Sequence, residues 1–100
     1  MPEVSRDYRL SPRAQADLIE IWDYTIATWS LDQAIIYEDK LLDACQAISE
    51  SPEAGDDISH LRSGYRLWRV ASHFIVYRER NRGVDVMRIL HQRRDIKRHV

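Results

Sequence analysis

Basic and aromatic side chains in residues 61–100 are the part of this chain best suited to chemistry. Arg66, Arg88, His91 and Tyr77 could together cleave RNA without a metal. In such a reaction, arginines stabilise a pentacoordinate phosphorane while a histidine or a tyrosine moves protons. The same side chains could instead bind an anionic partner, or pair with carboxylates elsewhere in the chain. The residue types therefore predict an anion-directed surface, with catalysis and binding as alternatives.

Thiol and nucleotide chemistry are disfavoured. Cys45 falls on the apolar stripe of a predicted helix, which indicates core packing and not a nucleophile. The three glycines of the chain are scattered at turn positions and form no phosphate-binding loop. We therefore expect no catalytic cysteine and no cofactor.

The histidines do not form a convincing metal site. The spacing His91-x3-Asp95-x3-His99 would align three ligands on a helix, but four neighbouring lysines and arginines crowd it with positive charge. His60 and His73 each lie near the start of a predicted strand without an obvious carboxylate or cysteine companion. We expect no metal, and we interpret His60 and His73 as structural or surface residues.

The two parts of the chain carry opposite charge. Residues 1–60 contain 4 Lys/Arg and 13 Asp/Glu, and residues 61–100 contain 11 Lys/Arg and 3 Asp/Glu, so charges of −9 and +8 give the net −1. A basic surface attracts acidic protein segments or nucleic acid and accelerates the encounter with them. The alternative is an ordinary solvated surface.

Three short strands joined by tight turns are predicted at residues 65–71, 73–80 and 84–91. Their apolar residues do not alternate, since Leu67 and Trp68 are adjacent and Phe74 begins an unbroken run to Tyr77. A sheet that is apolar on both faces must be covered on both. The preceding residues suffice for one layer of helices, so we expect the second face to bind a partner.

Two helices are predicted before this sheet, after a short strand at residues 8–10. Ser11 followed by Pro12 is typical of a helix start, and residues 30–33 fit a capping box at the start of the second helix. Pro52 and Gly55 end that helix. Aromatic side chains bury the most area and should carry much of the core. The expected core aromatics are Trp22, Trp29, Trp68, Phe74 and Tyr77.

The order strand, helix, helix, strand, strand, strand indicates an α+β fold in which a helical hairpin packs on a small antiparallel sheet. The length predicts a single domain over residues 1–100. No apolar run approaches the ~20 residues that span a bilayer. Charged residues near the N-terminus, among them Glu3 and Arg6, disfavour a signal peptide. We therefore expect a cytoplasmic protein without a membrane partner.

Five stretches of the chain, in order, resemble the RelE/ParE superfamily of bacterial toxins, and within it the ParE branch. They are Tyr-Arg-Leu-Ser-Pro-Arg-Ala at 8–14 leading to Leu-Ile-Glu-Ile-Trp-Asp-Tyr at 18–24, Ser-Pro-Glu-Ala-Gly at 51–55, Leu-Arg-Ser-Gly-Tyr-Arg at 61–66, His-Phe-Ile-Val-Tyr-Arg at 73–78, and Arg-Ile-Leu-His-Gln-Arg-Arg-Asp at 88–95. The resemblance covers nearly the whole chain.

The resemblance implies the two-layer fold, a cognate ParD-like antitoxin whose C-terminal segment wraps the toxin, and inhibition of DNA gyrase by binding. We expect direct DNA binding only through the hetero-oligomeric antitoxin complex. Apolar side chains of the sheet are predicted to bind the antitoxin, namely Leu67, Trp68, Phe74, Val76, Met87 and Ile89. The end of the last strand is predicted to contact the target through Arg88, His91, Arg93 and Arg94.

Two alternatives remain open. A RelE-like ribosome-dependent ribonuclease would use lysines and arginines of the sheet with a C-terminal tyrosine. This sheet has no lysine and its last strand ends in His91, which favours the gyrase inhibitor. On the ribonuclease alternative, the catalytic residues would be Arg66, Arg88, His91 and Tyr77. The second alternative is a non-toxic module that binds nucleic acid or protein.

Overall fold

A helical hairpin packs on a five-stranded sheet in an α+β arrangement. The computed structural model describes residues 6–100, and residues 1–5, which include Glu3 of the charged N-terminus, lie outside it. In chain order the elements are β1 (Asp7–Leu10), α1 (Pro12–Thr28), α2 (Leu31–Glu50), a 3-10 turn (Pro52–Ala54), β2 (Asp56–Asp57), β3 (Tyr65–Val70), β4 (His73–Arg80), β5 (Gly83–His91) and a second 3-10 turn (Ile96–Arg98).

Both helices begin at the predicted serines. The Ser11 hydroxyl accepts a hydrogen bond from the backbone N–H of Ala14 at 3.0 Å, and the Ser30 hydroxyl accepts one from the N–H of Gln33 at 3.1 Å. Each hydroxyl satisfies an N–H of the first turn that has no partner within the helix. Since only two residues separate the helices, the chain must reverse direction there and form the hairpin.

The strand order is β1-β5-β4-β3-β2. The antiparallel meander of β3, β4 and β5 is confirmed, with β2 added at its outer edge. The prediction of an entirely antiparallel sheet was wrong for β1, which pairs parallel to β5 from Asp7 opposite Gly83 to Leu10 opposite Val86. The hairpin lies between β1 and the meander in sequence, and such a crossover connection permits parallel pairing. The sheet is therefore mixed.

Apolar side chains on the two sheet faces form two buried clusters. The first joins the hairpin to the sheet and includes Ile48, Ile75 and Val86. The second contains Phe74 and Leu90 on the opposite face. Ile58, from the segment before β3, belongs to this cluster, and Leu61, Ile96 and Val100 pack against it from the segments before β3 and after β5. The expectation that the second face needs a partner was wrong, because the chain covers that face itself.

One expectation about the core was wrong, and the predicted antitoxin contacts lie on both faces of the sheet. Trp29 is not a core residue: it caps the C-terminus of α1 and its exposed fraction is 72%. The six predicted antitoxin contacts do not share one open surface. Trp68 and Ile89 belong to the cluster under the hairpin, whereas Leu67 and Val76 are buried in the other cluster.

Among residues 6–100, neither helix combines the length and apolar character needed to cross a bilayer.

Candidate functional site

A groove of about 800 Å³ opens between the helical hairpin, the start of β4 and the end of β5. It is lined by Asp17, Glu20, Ile21, Tyr24, Thr25, Trp29, Gln33, Tyr37, Ser72, His73, Arg88, Ile89, Leu90, His91 and Arg94. The volume and the mixture of apolar and polar walls are typical of a site that takes a ligand or part of a protein partner.

The apolar wall comes from α1 and the turn that follows it. Ile21 is half-buried, while Tyr24 and Trp29 are exposed although both are large aromatic residues. Exposed aromatics around a concavity are common at protein-binding sites, because their rings supply contact area with few rotatable bonds. This wall offers two aromatic anchors to a partner.

The first turns of α1 replace a strand at the edge of β5. Strand β1 pairs with β5 only as far as Val86, which leaves later backbone groups of β5 without a strand neighbour on that side. The Ser11 hydroxyl donates to the carbonyl of Met87 at 2.8 Å, and the N–H of Ile89 donates to the carboxylate of Asp17 at 2.9 Å. These bonds satisfy the edge and fix α1 beside the groove.

Asp17 also holds Arg88 in a bidentate ion pair. The Arg88 Nε and Nη2 atoms donate to the two carboxylate oxygens at 2.8 and 2.9 Å, and both side chains are largely buried. The hydrogen bond to Asp17 raises the pKa of the Arg88 guanidinium. Fork-to-fork pairing of this kind is among the stronger polar contacts in proteins. Arg88 is therefore committed to Asp17 and has little capacity left for an external anion.

A hydrogen-bonded aromatic row joins α2 to β4 and β5. The Tyr37 hydroxyl lies 2.6 Å from Nδ1 of His73, and the His73 ring meets the His91 ring edge to face with 5.2 Å between centroids. Burial, reinforced by neighbouring His91, lowers the pKa of His73 from 6.5 to about 4, and burial raises the pKa of the Tyr37 phenol. At neutral pH both groups are uncharged, so the row acts as a polar bridge and not as an ion pair.

The four residues proposed for RNA cleavage are split between two places. The Tyr77 hydroxyl is buried, donates to the carbonyl of Pro52 and accepts from the N–H of Gly55, both at 2.8 Å. Arg66 donates to the carbonyl of Gly55 at 2.8 Å. These two side chains hold the loop before β2, whereas Arg88 and His91 line the groove. The four residues are therefore divided between that loop and the groove.

The predicted target contacts also differ from one another. His91 and Arg94 line the groove together with Arg88. Arg93 is exposed and does not line it. Arg94 thus lies at the groove and Arg93 outside it, while the guanidinium of Arg88 is already paired.

Sequence reasoning missed most of the groove residues, among them three that make its polar contacts, Asp17, Tyr37 and His73. Tyr37 precedes Leu41 by one helical turn, so its position on the core side of α2 could have been read from spacing. Asp17 lies one turn after Ala14 and one before Ile21, and a carboxylate on an apolar stripe is a detectable sign of a buried pair. His73 gave no such sign, because its partners come from α2 and β5.

Comparisons with known proteins agree on one family. Residues 8–96 match the family described as "ParE toxin of type II toxin-antitoxin system, parDE". Toxin ParE1 of Mycobacterium tuberculosis is 42% identical over 98 residues, covering 97% of this chain and all of that protein. Toxin ParE1 of Caulobacter vibrioides is 39% identical over 95 residues, covering 95% of this chain and 98% of that protein.

A solved structure shares the fold. One chain described as "Chromosomal ParDE TA system from P. aeruginosa" superposes with a TM-score of 0.74 at 14% identity, covering 89% of this chain and 98% of that one. At this sequence identity the comparison shows a shared fold, in which a helical hairpin packs on the sheet, and nothing more.

Proposed function

The chain belongs to the ParE toxin family of type II toxin-antitoxin systems, and from that premise we propose that it inhibits DNA gyrase by binding and is neutralised by a ParD-like antitoxin. The antitoxin segment occupies the groove between the hairpin and the end of β5. Direct DNA binding belongs to the hetero-oligomeric complex and passes through the antitoxin.

The chemistry of the groove carries the antitoxin part of this proposal. Tyr24 and Trp29 form an exposed apolar wall, and Arg94 and His91 lie among the other lining residues. A segment with apolar side chains on one side and acidic side chains on the other matches both walls. The aromatic residues supply most of the binding energy, and the rim charges speed association.

This assignment moves the antitoxin contact away from the residues first predicted for it. Leu67, Val76 and Ile89 are buried within the chain's own clusters. Phe74 is likewise buried, in the cluster against which the C-terminal residues Ile96 and Val100 pack. Trp68 and Met87 are half-buried. Buried side chains offer little area to a partner unless the covering segments move.

A matched pair of variants on α1 tests the antitoxin site. Tyr24 and Ile26 are both exposed apolar residues, but only Tyr24 lines the groove. Tyr24→Arg should weaken binding of the cognate antitoxin at least about tenfold, because it removes an aromatic anchor from the groove wall. Ile26→Arg should stay within about twofold. Isothermal titration calorimetry gives both affinities, and equal losses would place the antitoxin elsewhere.

A supercoiling assay tests the proposed target. Purified chain added to gyrase, ATP and relaxed plasmid should reduce supercoiling, and prior addition of antitoxin should restore it. Cleavage of messenger RNA in a reconstituted translation mixture, with gyrase unaffected, would favour the ribonuclease. Activity in neither assay would favour the non-toxic interaction module.

A further inference from the structure

The outer part of the helical hairpin exposes large apolar side chains that do not line the groove. They are Ile19 at 62% exposed, Ile26 at 39%, Leu31 at 54%, Ile35 at 45% and Ile36 at 55%. Ile19 and Ile26 are two helical turns apart in α1, and Leu31 and Ile35 are one turn apart in α2, so each pair shares a helix face. Clusters of exposed apolar residues on a small protein mark interaction sites.

Acidic side chains are interleaved with these residues. Asp23 follows Ile19 by one turn, and Asp39 follows Ile35 by one turn. Together α1 and α2 carry 2 basic and 8 acidic side chains, a charge of −6. Two of those acids, Asp17 and Glu20, line the groove, and Asp17 is paired with Arg88. The other six acidic side chains of the two helices do not line the groove. The surface is therefore apolar and acidic, the opposite of the sheet half.

We propose that this outer hairpin face is a second binding surface, and that its occupant is a basic amphipathic helix of a partner protein. The acidic side chains repel a second copy of the same face, nucleic acid and anionic lipid. A helix with lysines or arginines flanking an apolar stripe satisfies both the isoleucines and the carboxylates. The face and the groove use different residues, so substitutions can test them separately.

A designed peptide serves as the probe. A labelled helix of leucine and lysine with helical patterning is titrated with the full chain by fluorescence anisotropy. Two controls accompany it: a scrambled peptide of the same composition, and a patterned peptide in which glutamate replaces lysine. The patterned basic peptide should bind at least about tenfold more tightly than either control, since only it presents apolar and basic groups together. Equal binding of the patterned and scrambled peptides would overturn the proposal.

Two double variants locate the binding. Ile19→Ser with Ile35→Ser should weaken binding of the patterned peptide about tenfold or more. Asp23→Asn with Asp39→Asn should weaken it by a similar factor through charge alone. Tyr24→Ser in the groove should leave binding within about twofold, and circular dichroism should show all variants folded. Loss confined to Tyr24→Ser would assign the probe to the groove and overturn the proposal.

Light scattering tests whether a second copy of the chain, and not a partner helix, occupies the face. Concentration-dependent dimers that disappear in the Ile19→Ser, Ile35→Ser variant would assign the face to a second copy and overturn the proposal. A monomer, with peptide binding as above, is the expected result. Neither experiment contains antitoxin or gyrase, so its outcome is independent of the function proposed above.

Discussion

At the scale of single residues, Asp17 has the clearest structural task. Its carboxylate accepts one hydrogen bond from the backbone N–H of Ile89 and two from the Arg88 guanidinium. The Ile89 N–H therefore has a partner although β1 pairs with β5 only as far as Val86. A β-bulge next to this point leaves Met87 without a partner in β4, and bulges commonly re-aim the following side chain. Helix, strand edge and groove thus meet at one carboxylate.

We predict that Asp17→Asn lowers the free energy of unfolding by about 3 kcal/mol, because it leaves the largely buried Arg88 guanidinium without its counter-charge. Urea unfolding followed by tryptophan fluorescence measures the change. Glu79→Gln is the matched control, since it breaks the exposed pair with Arg6 and should cost less than about 0.5 kcal/mol. Similar costs for both variants would show that the Asp17 pair is not a buried clamp.

His73 should make stability depend on pH. Its pKa is about 4 in the folded chain and 6.5 in a free side chain, so the unfolded chain takes up the proton first as pH falls. Stability should therefore decrease between pH 6.5 and 4, by about 1 to 2 kcal/mol after allowance for the partial exposure of the ring. Urea unfolding of His73→Phe should lack this part of the pH dependence. His60→Gln, at an exposed position, should retain it, and identical pH profiles for wild type and His73→Phe would contradict the prediction.

What the sequence revealed of the site follows from how local each contact is. His91 and Arg94 were found because they lie in one basic run at the end of a strand. Tyr37 and His73 were not, because the bond between them joins residues 36 positions apart. A non-local contact leaves no trace in spacing.

At the scale of elements, β1 and β5 show where pattern reasoning succeeds and where it stops. Serine caps, glycine turns and apolar runs located both helices and the three strands of the meander. The direction in which β1 pairs was not accessible, because a four-residue strand has no pattern that distinguishes a parallel neighbour from an antiparallel one. The cover of the second sheet face was missed because Ile58 and Val100 come from segments without periodicity.

Gly83 sets the pairing between β1 and β5. Its φ is +151°, and a Cβ placed there would collide with the backbone of Asp7 in β1. Gly83→Ala should therefore lower the free energy of unfolding by about 3 kcal/mol, through strain and loss of strand contact. Gly64→Ala, at a φ of +80° but with open space around it, should cost only about 1 kcal/mol. Thermal unfolding compares the two, and equal costs would show that contact with β1 is unimportant.

At the scale of the whole molecule, the fold keeps the two charges apart. The hairpin is acidic, and one pair, Asp17 with Arg88, links it to an arginine of the meander. Three other strand arginines, Arg9, Arg78 and Arg80, pair with Asp85 or Asp7 of the sheet itself. The chain therefore has a groove lined by residues of both charges and an acidic outer hairpin, which suit partners of different chemistry.

Toxicity and antitoxin binding should separate by substitution at the end of β5. If His91 transferred a proton in RNA cleavage, His91→Gln should lower the cleavage rate by about two to four orders of magnitude. If His91 only contacts the target, the variant should inhibit gyrase almost as well as the wild type, because glutamine still forms hydrogen bonds. We expect His91→Gln to keep inhibiting gyrase.

Arg93→Glu should lose inhibition while keeping antitoxin affinity, since Arg93 is exposed outside the groove. Arg94→Glu, which reverses a groove charge, should weaken both. Supercoiling assays and calorimetry on the same preparations measure the two functions. A folded His91→Gln that has lost toxicity would turn the interpretation toward a ribonuclease.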